Sequence, residues 1–553
     1  MFKKPIIQLS KSLVIIIAVI LSIIVVALVV WQLFKYDVIK GKVKSVVYEK
    51  TNGLYTIHYD KMDLDEVGGF LHVTNLSIIP DTAKFRQLIA GKENPAVLLS
   101  LTVPELVVAG VKTPKAMLNK KISGRKIEIK NASVVLYYSK ANHDTASPPP
   151  TEMYQQLLGD LKEIQVDSLE VSHVSFAFIN ILNDKTTIAA EDISVHLRDV
   201  QIDSLHNHDT SRLFFTKHVL INGAQASIKN KPSTYVYRFN QFSFNSDERS
   251  LSAASIQIEP QLSEEEFAAY SKLQKDRFNL NFNQVALQGI DIASLMNGNI
   301  LSEQLAIKSL TCKVFRDLSY PRDKIIRIGQ FPQQMLMKVP FLLSVKKTTV
   351  GNAFIEYKER NPKSGYSGRL QFMHANAVIK NLTNDLAAIK RNNHCTVDFN
   401  ASFLDLAPVN VHLDLLLADA NGRFNFSGGL KDGFDAVKLN ELIEPMGMAR
   451  IEKGHVNGLD FSFSAHNRGS EGRVTLLYND LKLTLLKKDS TDEEFKKKKL
   501  ASFIANVIIK NDNPQKKKPV RIETVHYDRN TNRSFFNLLW KSVYTGIKQT
   551  AGM

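Results

Sequence analysis

The sequence predicts a mainly β protein that is tethered to a membrane by one N-terminal helix. Three observations support this prediction: a long apolar run near the N-terminus, an alternation of apolar and polar residues through most of the remaining chain, and few segments with the 3.6-residue period of helices. Val, Ile, Phe, Tyr and Thr fill short runs separated by Asn, Asp, Gly and Ser, which is typical of strands and turns. We therefore expect an elongated, twisted antiparallel β-sheet with a few short helices.

The first predicted element is a transmembrane helix at residues 13–34, after a short cytoplasmic tail at residues 1–12. No charged residue lies between Lys11 and Lys35. A helix rises about 1.5 Å per residue and the hydrocarbon core is about 30 Å thick, so roughly 20 apolar residues span it. The run exceeds the ~7–15 apolar residues of a cleavable signal peptide and offers no small-residue cleavage site. Trp31 and Tyr36 are expected at the membrane–water interface.

The orientation of this helix does not follow from its flanking charges, because lysines lie on both sides of the run. Long domains cross a membrane largely regardless of charge. We therefore expect the N-terminus in the cytoplasm and the large domain on the other side of the membrane. No second apolar run approaches spanning length.

The second predicted element is a β-domain at residues 35–533, in which one pattern recurs. Two apolar residues two positions apart are followed, after two intervening residues, by a second such pair. The pattern occurs at Leu71–Ile78, Leu169–Phe176, Val195–Ile202, Tyr237–Phe244, Leu280–Leu287, Leu305–Cys312 and Leu476–Leu483. Side chains alternate faces along a strand, so the odd step would move the second pair to the other face unless the chain bulges or turns. We expect bulged strands or stacked hairpins, with the first strands between Val43 and Ile79.

Short helices are predicted at four places. They are residues 82–91, residues 151–164, a segment that begins at Ser263 with a capping box, and a C-terminal amphipathic helix at residues 534–553. The last helix carries Trp540, which is expected at a membrane interface. The helix either caps the final strands or docks on a membrane or a partner.

The composition favours anionic partners and offers no catalytic site. The formal net charge is +16. The lysine runs lack interleaved aromatic residues, so we predict no nucleic-acid binding. No P-loop, nucleophile elbow or HExxH motif is present, so we predict that the chain is not an enzyme and needs no cofactor. Cys312 and Cys395 allow at most one disulfide bond.

One group of residues could hold a metal ion, namely His206, His208 and Asp209. Two histidines at positions i and i+2 of a strand share a face and can bind a metal together. These residues lie in a polar stretch rich in Asn and Ser, where exposed loop side chains are the more usual outcome. We predict no metal site.

The predicted sheet has an apolar face that must either be closed as a core or remain open as a groove. Few long helices are available to cover it, and for a chain tethered to a bilayer the obvious apolar ligand is a lipid tail. The candidate lipid-groove residues are Leu71, Val73, Val195, Leu197, Phe239, Phe244, Leu280, Phe282 and Leu287. Each of them is equally compatible with an ordinary closed core.

Two segments carry a resemblance to a known family. The first is the entry to the β-domain, with Thr51-Asn52-Gly53-Leu54-Tyr55 and Leu71–Asp81. The second is the exit, with Leu476–Leu483, Asn506–Pro514 and the closing segment from Ser534. These segments resemble the AsmA-like family of bacterial envelope proteins. The resemblance implies an inner-membrane anchor, an elongated periplasmic β-structure with a taco-like apolar groove, and a role in moving phospholipid towards the outer membrane.

The expected function is therefore binding and transfer of lipids, with acyl chains shielded in the groove between the inner and outer membranes. The expected partners are the acyl chains of phospholipids or glycolipids, the inner membrane, and an outer-membrane or periplasmic protein at the C-terminal end. The alternative is an envelope scaffold that regulates outer-membrane assembly, because an exposed sheet edge can accept a strand from a protein partner.

Overall fold

The structure is a computed structural model, and it describes ten stretches of the chain and one isolated residue. They are residues 43–65, 67–91, 97–111, 120–139, 162–206, 209, 211–213, 215–229, 234–486, 503–506 and 509–552. The predicted transmembrane helix at residues 13–34, together with Trp31 and Tyr36, lies outside these residues. Within them, no helix has both the length and the apolar character that crossing a bilayer requires.

The described residues are mainly β, with 59% in strands and 15% in helices, which confirms the predicted fold class at that level. They divide into two compact units. The first unit contains the described residues up to Ile256 together with Leu287–Asn299, and the second contains Gln257–Ala286 and the described residues from Ile300 onward.

The first unit is built on strands β1 to β10, followed by the start of β11. Their bounds are β1 Tyr55–His58, β2 Lys61–Asp65, β3 Phe70–Pro80, β4 Leu98–Ala109, β5 Lys121–Lys130, β6 Ser133–Tyr138, β7 Glu163–Asn180, β8 Lys185–Asp203, β9 Thr216–Lys229, β10 Tyr235–Asn245 and β11 Ser250–Pro260. β3 pairs with β1, β2 and β4, and β4 pairs with β5 and β6. β7, β8, β9 and β10 follow as neighbours in sequence order.

The second unit contains the remaining strands. They are β12 Arg277–Gln288, whose last two residues belong to the first unit, β13 Ile300–Asp317, β14 Leu343–Arg360, β15 Ser367–Thr383, β16 His394–Phe403, β17 Ala407–Leu416, β18 Phe424–Leu430, β19 Phe434–Asp435, β20 Ala449–His466, β21 Gly469–Leu486, β22 Phe503–Asn506 and β23 Glu523–Asp528. From β13 to β18 each strand pairs with the next, β18 and β19 pair with β20, and β21 pairs with β20, β22 and β23.

The prediction of an antiparallel sheet is correct only in part, because the sheet is mixed. β7 runs parallel to β5 and β6 in the first unit, and β13 runs parallel to β14 in the second. Parallel neighbours need a connection of about a dozen residues or more. Residues 318–342 provide such a connection between β13 and β14. The sequence pattern indicates where the strands lie. It does not indicate which long connections make a strand run parallel to its neighbour.

Eight α-helices and one 3₁₀ helix are present in the described residues. They are α1 Val43–Lys50, α2 Thr82–Ala90, α3 Glu264–Ser271, α4 Ile292–Met296, α5 Pro332–Leu336, α6 Leu386–Arg391, the 3₁₀ helix Ala436–Leu439, α7 Asn440–Gly447 and α8 Phe535–Ala551. α2 begins after Asp81, whose side chain accepts a hydrogen bond from the Lys84 amide. α3 has the predicted capping box between Ser263 and Glu266.

Two local predictions are wrong. Val43–Lys50 is a helix, not the first strand. Glu163 and Ile164, which the sequence places at the end of a helix, belong to strand β7. The rest of that predicted helix, residues 151–161, lies outside the described residues.

The recurring apolar pattern corresponds to continuous strands with one left-handed residue in the middle. In six of the seven occurrences the second intervening residue has a positive φ, and these residues are Asn75, His173, Asp199, Gln241, Gln284 and Asp480. Side chains such as Asn and Asp tolerate this conformation better than most. A left-handed residue interrupts the strict alternation, so both apolar pairs remain on one face. In Leu169–Phe176 all four apolar residues are buried, as the prediction of bulged strands requires.

Candidate functional site

A partly open apolar surface of the second unit lies on one face of its sheet. Residues from six successive strands lie next to one another across this face. The row consists of Leu310, Ala353, Ala375, Ala401, Val409 and Leu430, from β13 to β18. The strand register pairs each of them with the next, except Ala375 and Ala401, which belong to one buried cluster at an irregularity of the β15–β16 pairing. Ala353, Ala375 and Ala401 are buried, with 3%, 1% and 8% of their surface exposed. We call this side of the sheet the apolar face.

Large side chains lie above these alanines and are only half-buried. Ile355, Phe372, Phe399, Phe403 and Val411 pack against the alanine row but retain exposed surface. The Phe372 ring contacts Phe399 edge-on, with 5.8 Å between the ring centroids, and lies 6.0 Å from the Phe403 ring. A closed core buries its phenylalanines at least as often as its alanines. Here the small residues form the floor and the large ones form an apolar surface that solvent or a ligand can reach.

The opposite face of the same strands is polar and internally paired. The His412 ring lies 2.6 Å from an Asp398 carboxylate oxygen, and the His394 ring lies 2.8 Å from one of Asp414. Asn400, next to Phe399 in sequence, is exposed on this face. The alternation therefore gives the sheet one polar face for solvent and one apolar face.

Polar groups replace the apolar residues at one end of the apolar face. Arg316 donates two hydrogen bonds to Asp276, at 2.7 and 2.6 Å. The Tyr357 hydroxyl donates to Glu359 at 2.6 Å. Burial raises the pKa of Tyr357 well above its usual value. Charged groups that remain partly buried in pairs are suited to meet the polar end of an amphipathic ligand.

Helix α8 covers the last strands on this same face. Val474 continues the apolar face onto β21 and is completely buried. Leu538 and Val543 of α8 pack in the core cluster that contains Val474. Ser542 and Ser470 share a buried hydrogen bond of 2.6 Å. The C-terminal helix thus packs as a cover on the final strands, and the half-buried surface lies on β13 to β17.

The first unit closes its apolar face more completely. Seven of the nine predicted groove residues lie in its core cluster or pack against it. Leu71, Val73, Val195, Leu197 and Phe244 are buried, with between 0% and 9% of their surface exposed, whereas Phe239 and Leu287 are partly buried. The most deeply buried of them, Leu71, Val73 and Val195, have at most 1% of their surface exposed, so a ligand does not reach them without a rearrangement.

The other two predicted groove residues, Leu280 and Phe282, belong to β12 in the second unit and are half-buried. Trp540 is 46% exposed on α8. Trp31 and Tyr36 lie outside the described residues. The structure therefore places the predicted residues in two different surroundings and does not gather them at one site.

The half-buried residues on β14 and β15 were not predicted, although the sequence contains their signal. Thr348, Val350, Ala353 and Ile355 repeat the recurring pattern, and so do Leu370, Phe372, Ala375 and Ala377. Asn352 and His374 supply the left-handed residue, with φ values of 39° and 51°. Counting alanine and threonine as members of the pattern would have revealed both strands.

The remaining candidate groups do not form a site in the described residues. His206 is paired with Asp203, at 2.8 Å, and His208 lies outside those residues. No group of three metal-ligating side chains occurs among the residues that the structure describes. Cys312 and Cys395 are both free thiols. Burial raises the pKa of each to about 11, and for Cys395 the Asp414 carboxylate adds to the effect.

Comparisons with known proteins add no identification. No family model matches this chain, and no curated protein matches it.

Proposed function

We propose that this chain is a membrane-anchored lipid-binding protein that shields acyl chains on the apolar face of its second unit. The observation that carries the proposal is the surface formed by Phe372, Phe399 and Phe403, which are half-buried above a floor of buried alanines. Large apolar patches that stay accessible usually have a ligand or a partner. An acyl chain is long, flexible and uniformly apolar, so a continuous apolar row across several strands suits it.

The proposal includes the family and the location that the sequence suggests. The chain would be an AsmA-like protein of the inner membrane, with its N-terminus in the cytoplasm and its large domain in the periplasm. Its sheet would form an elongated, taco-like groove through which phospholipid moves between the two membranes. The entry and exit motifs and the charge-free run at residues 13–34 support this proposal.

The polar end of the apolar face agrees with an amphipathic ligand. Arg316, Tyr357 and Glu359 lie on the strands β13 and β14 of the apolar row, beyond its last apolar residues, and Asp276, just before β12, pairs with Arg316. A phospholipid or glycolipid places its polar headgroup at one end of its acyl chains. The order of apolar surface and charged pairs along the strands matches that arrangement.

Lipid transfer between two vesicle populations by the full chain tests the proposal. A charge at Phe372 or Phe399, as in Phe372→Asp or Phe399→Asp, should abolish transfer, because a carboxylate disfavours an acyl chain beside it. The matched control is Asn400→Asp, which adds the same charge on the exposed polar face one residue away from Phe399. Circular dichroism must show that the variants are folded.

Transfer by the wild-type chain that exceeds the spontaneous rate, together with its loss in the Phe variants alone, supports the proposal. No transfer by the wild-type chain, or equal transfer by Phe399→Asp and Asn400→Asp, contradicts it. Crosslinking that recovers one stoichiometric protein and no lipid would instead favour an envelope scaffold.

A further inference from the structure

Helix α8 has a second surface that faces away from the sheet. Phe536 is 73% exposed and Trp540 is 46% exposed. Together with Tyr544 they occur at intervals of four residues, so they lie along one side of the helix. The Trp540 and Tyr544 rings stack, with 5.5 Å between their centroids and 19° between their planes. The covering role of α8 uses Leu538, Val543 and Gly546, not these residues.

A segment that is hydrogen-bonded to the residues before α8 carries exposed aliphatic side chains. Ile325 is 51% exposed and Ile326 is 63% exposed. The Arg327 amide donates to the Thr531 carbonyl at 2.7 Å, and its guanidinium donates to the Asn532 carbonyl at 2.6 Å. These bonds hold the isoleucines beside the residues that lead into α8. The result is a patch of exposed aromatic and aliphatic residues within the second unit.

The charged residues around this patch are mainly cations. The ammonium groups of Lys541 and Lys548 lie over the Tyr544 ring, at 5.2 and 5.5 Å from its centroid. Neither lysine forms an ion pair with a described residue. Partial burial, and then the nearby charges of Lys548 and Arg533, lower the pKa of Lys541. Partial burial, and then Arg322 and Arg316, lower the pKa of Arg533.

Two carboxylates near the patch, Asp323 and Glu359, have hydrogen-bond partners. Asp323 accepts two hydrogen bonds from Arg327, at 2.9 and 2.7 Å, and Glu359 accepts the Tyr357 hydroxyl. The charge of Glu359 opposes the lowering of the pKa of both Lys541 and Arg533, but the cations outnumber it. The patch therefore combines exposed apolar groups with an excess of positive charge. Aromatic rings favour the headgroup region of a bilayer, and lysine near a bilayer favours anionic lipids.

We propose that Phe536, Trp540, Ile325 and Ile326, with Lys541 and Lys548, form a docking surface for an anionic lipid bilayer. The apolar side chains enter the headgroup region and the lysines contact the anionic headgroups. The residues of this surface differ from those of the apolar face, although the two surfaces adjoin near Glu359, whose charge acts on Lys541. Docking and the binding of acyl chains are therefore tested with different residues.

The capture of vesicles by the full chain tests this inference. The chain, with Trp31→Phe so that Trp540 is its only tryptophan, is reconstituted into neutral phosphatidylcholine vesicles. Labelled vesicles of phosphatidylglycerol or of phosphatidylcholine are then added, and their capture and the Trp540 emission are measured. We expect capture of phosphatidylglycerol vesicles alone, with a blue shift of the Trp540 emission and loss of capture at high salt.

Two variants and two matched controls separate the contributions. Lys541→Gln with Lys548→Gln should weaken capture about thirtyfold, because each basic residue near an anionic surface contributes roughly fivefold. Phe536→Ser should also abolish capture while thermal unfolding is unchanged, since this side chain is exposed. The controls are Leu205→Ser, at a site that is 85% exposed in the first unit, and the exposed Lys482→Gln.

Capture that the controls retain and the patch variants lose supports the docking surface. Equal capture of the two lipid types, capture unaffected by the patch variants, or no capture by the wild-type chain overturns it. In the last case an acidic protein partner would replace the bilayer as the occupant. Lipid transfer measured on the same variants distinguishes a failure of docking from a failure of the proposed function.

Discussion

Gly546 of helix α8 lies against Val474 of strand β21 so closely that even one added methyl group would overlap it. A Cβ atom added to Gly546 would lie 2.4 Å from the Val474 Cβ and Cγ2 atoms and 3.0 Å from a methyl group of Val525. Both valines are completely buried. The seating of the C-terminal helix on the apolar face therefore depends on this glycine.

We predict that Gly546→Ala lowers the free energy of unfolding by about 1–3 kcal/mol, which is the usual cost of overpacking. The measurement is chemical unfolding followed by Trp540 fluorescence in a Trp31→Phe background. Val474→Ala should restore part of the loss in the double variant, because residues in contact couple. Gly447→Ala is the control, since its added methyl group meets only Ile443, at 3.6 Å. A loss as large at Gly447 as at Gly546 would contradict this account.

Replacing a left-handed strand residue with glycine should raise the stability of the protein, whereas the same replacement at a neighbouring strand residue should lower it. Gln241 has a φ of 45° and an exposed side chain. We predict that Gln241→Gly raises the stability of the first unit by about 0.5–1 kcal/mol, because glycine adopts this conformation without steric cost. Gln241→Val should lower it by about 1–2 kcal/mol.

Ser243, two residues further along β10, is the control for this prediction. It has ordinary strand geometry, so Ser243→Gly should lower stability by about 0.5–1 kcal/mol. Thermal unfolding followed by circular dichroism gives the sign of each change. Equal effects of glycine at positions 241 and 243 would show that the left-handed residue does not shape the strand.

Cys312 is a natural probe of the apolar face, since it lies beside Ile355 on the neighbouring strand and is half-buried. Its pKa is raised by burial to about 11, so little thiolate exists at neutral pH. We predict slow labelling by a small thiol reagent, with a rate that rises about tenfold per pH unit up to that pKa. A rate that levels off near pH 9 would contradict the burial of this thiol.

The same thiol should be protected by lipid. The measurement uses a Cys395→Ser background, so that Cys312 is the only reactive residue. Added phospholipid should slow the labelling of Cys312 if acyl chains lie on the apolar face. Labelling that is unchanged at saturating lipid would place any lipid elsewhere.

The ion pair between Asp323 and Arg327 should make the segment that carries Ile325 and Ile326 sensitive to acid. The hydrogen bonds from Arg327 lower the pKa of Asp323 below its usual value. An aspartate whose pKa is lowered in the folded state contributes its full stabilisation above the pKa of the unfolded state, which is about 3.9. This contribution is lost as the pH falls through the lower pKa of the folded state.

We therefore predict that Asp323→Asn lowers stability by about 1 kcal/mol at neutral pH. The difference from the wild-type chain should disappear at acid pH, where Asp323 is protonated in both states. Hydrogen exchange of the Arg327 amide, which donates to Thr531, reports on this segment directly. A stability difference between Asp323→Asn and the wild-type chain that persists below the pKa of folded Asp323 would contradict the proposed contribution of this ion pair.

Particular residues show how much of this molecule its sequence predicts. The pattern of Leu71, Val73, Leu76 and Ile78 predicts a bulged strand, and Asn75 adopts the left-handed conformation that the odd step requires. The capping box at Ser263 and the C-terminal helix were also predicted, because their signals are local. Each of these features depends on residues a few positions apart.

The direction of strand pairing and the degree of burial depend on residues far apart in the chain. β13 and β14 are parallel because residues 318–342 return across the sheet, which no local pattern reveals. Val73 and Phe372 have similar sequence surroundings, yet one is fully buried and the other half-buried. The candidate surface was therefore assigned in part to residues of the closed first unit.

Photo-crosslinking at Phe399 and Asn400 tests the central claim most directly. These neighbours lie on opposite faces of β16, one on the apolar face and one exposed on the polar face. p-Benzoylphenylalanine is incorporated at either position of the full chain, and the crosslinked products are analysed by mass spectrometry after irradiation in cells. The account predicts lipid adducts from position 399 and none from position 400. No lipid adduct at position 399, or equal amounts at both positions, would contradict it.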